Sequence, residues 1–235
     1  MTKVSSDREE YLNKVNEIDF GNEAPKQLDS SDFFTVAKER RSVRHYDPNF
    51  KLSDEEVREL LEIAVQAPSS SNLQPWRFLV INKQETKQKL LPIANNQQQV
   101  VDASVVIAVL GDTKAYVNAD RIYDELVEKG MMTQEVKDFY VGSIVKNYGN
   151  FPEEIATKVA MIDGGLVSMQ LMLAAKAKGL DTVPMGGFDQ AKFVEEFNVP
   201  ENFKPVMLIS VGKGIKAGFE KVRLTLDEVL TWDQF

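Results

Sequence analysis

An α+β fold, with helices set around a small sheet, is predicted by three observations. Segments with helical spacing of apolar residues outnumber strand-like runs. The strand-like runs are few and short, at 76–81, 104–110 and 205–211. The chain has 235 residues, 43% of them apolar, which suffices for one large core.

The elements follow in order. Residues 1–30 are polar and charged, broken by Gly21 and Pro25, and read as an arm preceding the domain at 31–235. Ser31 or Asp32 can cap a short helix over 32–41. Asp47-Pro48-Asn49 reads as a turn. Ser53 and Glu56 have capping-box spacing, and Val57, Leu60, Leu61, Ala64 and Val65 follow at helical intervals. That helix stops at Ala67-Pro68. Residues 68–75, Pro-Ser-Ser-Ser-Asn-Leu-Gln-Pro, are polar and unsuited to a helix. A strand over 76–81 and a helix near 84–91 come next. The β-branched run at 104–110 reads as a strand buried on both faces.

Two amphipathic helices are expected near 115–129 and 133–147. Pro152, as a first helical residue, opens a long helix to about 178. Ile155, Val159, Ile162, Leu166, Met169 and Leu173 form one apolar stripe along it. A mid-helix glycine costs about 1 kcal/mol relative to alanine, so Gly164-Gly165 predicts close approach of another helix, with a second subunit as a candidate. Gly179 ends this helix as a C′ residue. Residues 180–188 contain a turn, Pro184-Met185-Gly186-Gly187, and Asp189 caps a short helix to 197. Residues 212–218 read as loop, and the C-terminal tail as the source of one further strand.

Composition excludes several classes. A net charge of -8 and a pI near 4.9 leave no basic stripe for nucleic acid. The chain has no cysteine, so disulfides, thiolate catalysis and cysteine-bound metals are excluded, which fits a reducing cytosol. Residues 1–20 lack the apolar core of a signal peptide, and the uncharged run at 104–111 is far shorter than the roughly 20 residues a membrane helix needs. A cytoplasmic protein with no membrane partner is expected. His45 is the sole histidine, which rules out a multi-histidine metal site, and it reads as a turn residue.

Against this acidic background stands a cationic knot, Arg40-Arg41-Ser42-Val43-Arg44, echoed near the far end by Lys221-Val222-Arg223. Arginine presents a planar fork of donors that matches phosphate oxygens, and a neighbouring hydroxyl adds another donor. Cations at the C-terminus of a short helix also meet its partial negative charge, and on the knot alone either reading stands.

Three segments together resemble the FMN-dependent nitroreductase family: Arg-Arg-Ser-x-Arg, then Pro-Ser-Ser-x-Asn-x-Gln-Pro-Trp, then Gly-Leu-Asp-x-Val-Pro-x-x-Gly-Phe. The likeness runs from about residue 32 to the C-terminus. It implies helices around a small, mainly antiparallel sheet, in an intertwined homodimer whose C-terminal arms are exchanged and whose interface holds two FMN. By the same resemblance, Arg40, Arg41 and Ser42 contact the phosphate and ribityl chain, Lys221 and Arg223 complete the phosphate cage, and Arg44 lies at the site mouth. Pro68, Ser69, Ser70 and Asn72 would reach the flavin from the second subunit, with a plain turn as the bland reading of that loop. Gln74, Pro75 and Trp76 would hold the loop to the next strand. Asn96 and Gln99 would meet the pyrimidine edge, or else form a solvated helix end. Pro184, Met185, Gly186 and Gly187 would lie along the ring, with the Gly186 N–H directed at N5. No side chain is assigned acid–base work. By the same resemblance, Phe139, Tyr140 and Tyr148 fall in the variable helical region that lids the site in relatives, as core or lid residues.

Two departures bear on chemistry. Many relatives have lysine where Gln99 stands, and a neutral amide stabilises a reduced anionic ring less. Many have an acid where Gly186 stands, so this pocket is wider and less charged. The implied activity is hydride transfer from NADPH or NADH to a nitroaromatic, quinone or similar small-molecule acceptor by a ping-pong scheme. Alternatives are a flavin-binding or sensing protein without turnover, and the specialised flavin or dehalogenation chemistry of some relatives.

Overall fold

The computed structural model describes residues 24–25 and 31–235, so most of the expected arm lies outside the described residues. Helix α1 (Phe33–Glu39) begins at Asp32, whose carboxylate accepts from the amides of Phe34 and Thr35 at 3.0 and 3.2 Å. Helix α2 (Asp54–Ala64) carries both halves of the expected capping box: Ser53 Oγ accepts from Glu56 N at 3.1 Å, and Glu56 accepts from Ser53 N at 2.7 Å.

The main sheet has four strands, β2 (Trp76–Ile81), β3 (Val105–Asp112), β4 (Asp181–Met185) and β5 (Phe203–Gly212), in the order β2-β3-β5-β4 and antiparallel throughout. Central β3 is buried along its whole length because both faces are covered. Val105, Ile107 and Val109 pack with Leu60 and Ala64 of α2 and with Val167 and Leu171 of α7 (Glu153–Ala177). Val106, Ala108 and Leu110 point the other way, to Leu90 and Ile93 of α3 (Gln84–Ile93) and Phe193 of α8 (Gln190–Glu196). Helix α4 (Gln99–Asp102) precedes β3, and α5 (Ala119–Glu128) and α6 (Gln134–Gly149) pack on one another beyond it.

Four readings are corrected. His45 is not a turn residue: with Tyr46 it forms β1 (His45–Tyr46), paired with β6 (Gly214–Lys216) inside the expected 212–218 loop. Pro184 and Met185 belong to β4 rather than to a turn, and proline is tolerated there because β4 is an edge strand. The tail supplies a short helix, α9 (Leu226–Val229), and no strand among the described residues. Gly164 answers to the sheet and not to a helix, since a Cβ there would lie 2.6 Å from a methyl of Val206 on β5.

Helix α7 has the length and hydropathy of a membrane span, yet half of that stretch is buried and it packs on β3 and β5 as the core helix. Its other side is bare in the single chain. Ile162 is 63% exposed, and Ile155, Leu166 and Met169 are also exposed; the tail exposes Val222, Leu224, Leu226, Trp232 and Phe235.

Candidate active site

The sheet edge organises the cationic cluster. Ser42 bridges to Thr182 of β4, and Val43 N donates to Thr182 O at 3.0 Å, so the chain leaving α1 docks on the edge strand. The tail crosses the same spot: a Cβ at Gly218 would sit 2.4 Å from the Ser42 carbonyl oxygen. This close crossing brings Lys221 and Arg223 to the knot. Lys221 Nζ donates to the carbonyls of Ala37 and Lys38 at 2.8 and 2.5 Å, so the cation that caps α1 comes from the opposite end of the chain. Arg44 Nη1 donates to Ser42 O at 3.3 Å.

The cluster is electrostatically unfavourable by itself. Burial, then the charge of Arg223, holds Arg40 below the ordinary guanidinium range. Burial, then the charges of Arg40, Arg223 and Arg41, lowers Lys221. Two buried polar atoms lack partners among the described residues, Arg40 Nη1 and Thr182 Oγ1, and both lie on the segments that meet at this edge. Orphaned donors among mutually repelling cations suit an anion.

Farther along β4 the chain reaches Gly186 and Gly187. Gly186 is exposed, and a Cβ built on it meets nothing within 4 Å. The neighbouring polar loop holds this end of the strand. Asn95 Nδ2 makes a short hydrogen bond to Gly187 O, and Gln97 Nε2 donates to the same carbonyl at 3.5 Å and to Ala94 O at 2.9 Å. Asn95 and Asn96 adopt φ of 56° and 55°, a left-handed conformation that asparagine tolerates better than most residues. Asn96 is exposed. Gln99 is not a solvated end: it is 2% exposed, and its amide donates to Gln97 Oε1 at 3.0 Å and Met185 Sδ at 3.4 Å.

The serine loop is built differently. Ser70–Asn72 make a 3-10 turn, and Ser71, Asn72 and Gln74 all have positive φ, at 47°, 50° and 49°. Ser69 Oγ accepts from Gln74 N at 3.0 Å, and Pro75 O accepts from Asp112 N at 2.7 Å, tying the loop to the sheet as expected of Gln74 and Pro75. From α7, Asp163 accepts from Ser70 N at 3.2 and 3.1 Å and from Ser70 Oγ at 3.1 Å. From α5, Tyr123 OH donates to Ser71 O at 3.0 Å, and Tyr148 of α6 bonds Ser71 Oγ at 3.0 Å. Burial first, then Tyr140, pushes Tyr123 up to about 12, so it stays a donor at any ordinary pH. Tyr140 meets Tyr123 edge-on at 5.2 Å, and Phe139 is exposed. Pro68 and Asn72 are exposed on the loop surface.

The fold thus gathers the arginine knot, the Lys221–Arg223 pair, Pro184–Gly187 and the 95–99 loop along β4, and anchors the serine loop separately on α5, α6 and α7. Sequence reasoning missed Asp163, Tyr123, Asn95 and Gln97. Asp163 had a signal, being the only charged residue between Lys158 and Lys176.

Comparison with known proteins identifies the family. A family model described as "Nitroreductase family" matches residues 37–213. YdgI of Bacillus subtilis (strain 168), named an NAD(P)H nitroreductase, is 46% identical over 207 residues, covering 87% of this chain and 99% of that protein. The "CLA biosynthesis enone reductase" of Lactiplantibacillus plantarum is 33% identical over 204 residues, covering 86% of this chain and 94% of that protein. A crystal structure from Exiguobacterium sibiricum 255-15, described as a nitroreductase in complex with FMN, superposes with a TM-score of 0.83 at 47% identity, covering 88% of this chain and all of that one.

Proposed function

The chain belongs to the nitroreductase family, and from that premise we propose that it is a homodimeric FMN oxidoreductase. It takes a hydride from NADPH or NADH and reduces a nitroaromatic, a quinone or a similar acceptor. The observation that carries this reading is the cluster of Arg40, Arg41, Lys221 and Arg223, whose repulsion and orphaned Arg40 nitrogen suit a phosphate. The residues fit FMN: Arg40, Arg41, Ser42, Lys221 and Arg223 hold the phosphate and ribityl end, and Arg44 lies at the mouth, where a dinucleotide phosphate can meet it. Asn96 serves the pyrimidine edge, with Gln99 buried behind it and its amide on Gln97 and Met185, and Pro184, Met185, Gly186 and Gly187 serve the ring, with the Gly186 N–H toward N5. Pro68, Ser69, Ser70 and Asn72 come from the second subunit.

When bound, FMN supplies hydride transfer between donor and acceptor, and the protein supplies position and electrostatics. Gln99 presents a neutral amide where a cation would favour negative charge on the ring. Gly186 leaves room above it. Donor and acceptor use one pocket in alternation, hence the ping-pong scheme.

The bare apolar side of α7 and the exposed tail support the dimer, because contiguous apolar surface of this kind marks an interface. The partly buried core role of α7 and the absence of cysteine support a cytoplasmic location. The test is the visible spectrum of the purified protein, before and after anaerobic NADPH or NADH, followed by turnover with a nitrofuran, a quinone and, given the enone reductase relative, a conjugated enone. A yellow protein bleached by a dinucleotide is expected. Protein that stays colourless with excess FMN overturns the reading, and a bound flavin that neither dinucleotide reduces favours a binding protein without turnover.

A further inference from the structure

We infer that Asp163 is a positioning residue, which from α7 of one subunit holds the serine loop in the shape that meets the FMN bound by the other subunit's arginines. The inference rests on the proposed FMN site and its division between subunits.

The loop does not hold its shape unaided. Ser71, Asn72 and Gln74 occupy the left-handed region, which costs an L-residue roughly 1–2 kcal/mol each. Such conformations persist only where the surroundings over-determine them. Here the surroundings are two clamps. Tyr123 and Tyr148 hold Ser71 from the helical side, and Asp163 holds Ser70 from the core side.

Of these, the Asp163 clamp is the more specific. Asp163 is 2% exposed, and among the described residues the three hydrogen bonds its carboxylate accepts come from Ser70. A carboxylate can take an N–H and an O–H together because both its oxygens accept. An asparagine would turn an NH2 toward one of those donors. Asp163 is a buried acid in the stretch of α7 between Lys158 and Lys176 that holds no other charged residue; it has no evident packing value there, and burial raises the cost of its charge. Gly164, next to it, lets α7 sit close on Val206 of β5 and so sets the depth from which Asp163 reaches the loop.

The test uses whole dimers carrying two affinity tags, so that mixed dimers can be purified, with FMN affinity and site number read by flavin titration. The R41A and D163N homodimers should each bind FMN about tenfold or more weaker than wild type, since each loses charge-assisted hydrogen bonds. In the R41A/D163N heterodimer both defects fall on one site, and the other site combines an intact arginine cluster with an intact serine loop. That heterodimer should hold one FMN at wild-type affinity, the same count as an R41A/wild-type heterodimer. Two weakened sites in R41A/D163N, against one intact site in R41A/wild-type, would overturn the inference, because Asp163 would then act within its own subunit or through general stability. D163N that binds FMN like wild type, while R41A does not, would overturn it as well. Should the D163N homodimer not fold, the two heterodimers still decide. Wild-type protein that binds no FMN would remove the proposed function and this inference with it, a result distinct from the others.

Discussion

The cationic cluster and the serine loop both sit in conformations that would be unfavourable alone, but they are stabilised by different means. The cluster gathers like charges and leaves Arg40 Nη1 without a partner among the described residues. The loop gathers left-handed backbone and satisfies it with Asp163, Tyr123 and Tyr148. On the proposed function, strain of the first kind is relieved by the FMN phosphate; strain of the second kind is offset within the protein. Substitutions should therefore have opposite signs on the empty protein, although both weaken the cofactor.

The sharpest way to break this comparison is R40A. FMN affinity should fall about 10–100-fold, as expected for a lost charged hydrogen bond, while thermal unfolding of the FMN-free protein stays level or moves upward. A destabilised FMN-free R40A would show that the cluster is satisfied internally after all. Next is G164A, which pushes α7 away from Val206. Overpacking should cost about 1–3 kcal/mol in urea unfolding, and FMN binding should weaken because Asp163 moves with the helix. G165A is its control, since a Cβ there meets nothing within 4 Å; it should leave the single chain as stable or up to about 1 kcal/mol more so, and any loss should appear in dimer dissociation on dilution. Y148F removes one hydroxyl from Ser71 and should cost about 0.5–1.5 kcal/mol, with the FMN-free protein destabilised in the same direction as the holoprotein.

The smallest effect is a pH slope. Lys221 is held below the ordinary lysine value of 10.5, mainly by burial and then by its cationic neighbours. Between that lowered value and 10.5 the unfolded chain binds more protons than the folded one, so stability rises with pH across that window. Lys87, lowered to about 8, chiefly by burial, adds a similar rise between about 8 and 10.5. FMN should flatten only the Lys221 share, because a phosphate favours the charged ammonium. Urea unfolding of wild type, K221M and K87M over this range, with and without FMN, separates the two. A slope insensitive to FMN in K87M would contradict the phosphate assignment.

Much of the fold was legible because local chemistry decided it. Asp32, Ser53 with Glu56, and Asp189 announce helix starts, and they cap those helices in the structure. The runs behind β2, β3 and β5 are apolar enough to mark strands. β4 was hidden because Asp-Thr-Val-Pro-Met is short, contains a proline and leads into two glycines. β1 and β6 were hidden because two or three residues carry no period, and only pairing across the chain defines them. The site divides the same way. The arginine knot and the serine loop stand out by composition, whereas Lys221 on the α1 carbonyls and Asn95 on Gly187 are products of tertiary contact. The apolar stripe of α7 was visible, but sequence alone does not say which parts of it the chain's own sheet covers.

The Lys221 contact to Ala37 spans 184 positions of sequence. On the ribosome, domains form from the N-terminus forward. Helix α1 and the arginines that follow it are therefore made early and must wait for the segment beyond β6 to emerge before the carbonyls of Ala37 and Lys38 are matched. A nascent or truncated chain ending at β6 would have every strand described here but only Arg40 and Arg41 of the four clustered cations. On the proposed FMN site, flavin should therefore be retained only by chains translated past Arg223.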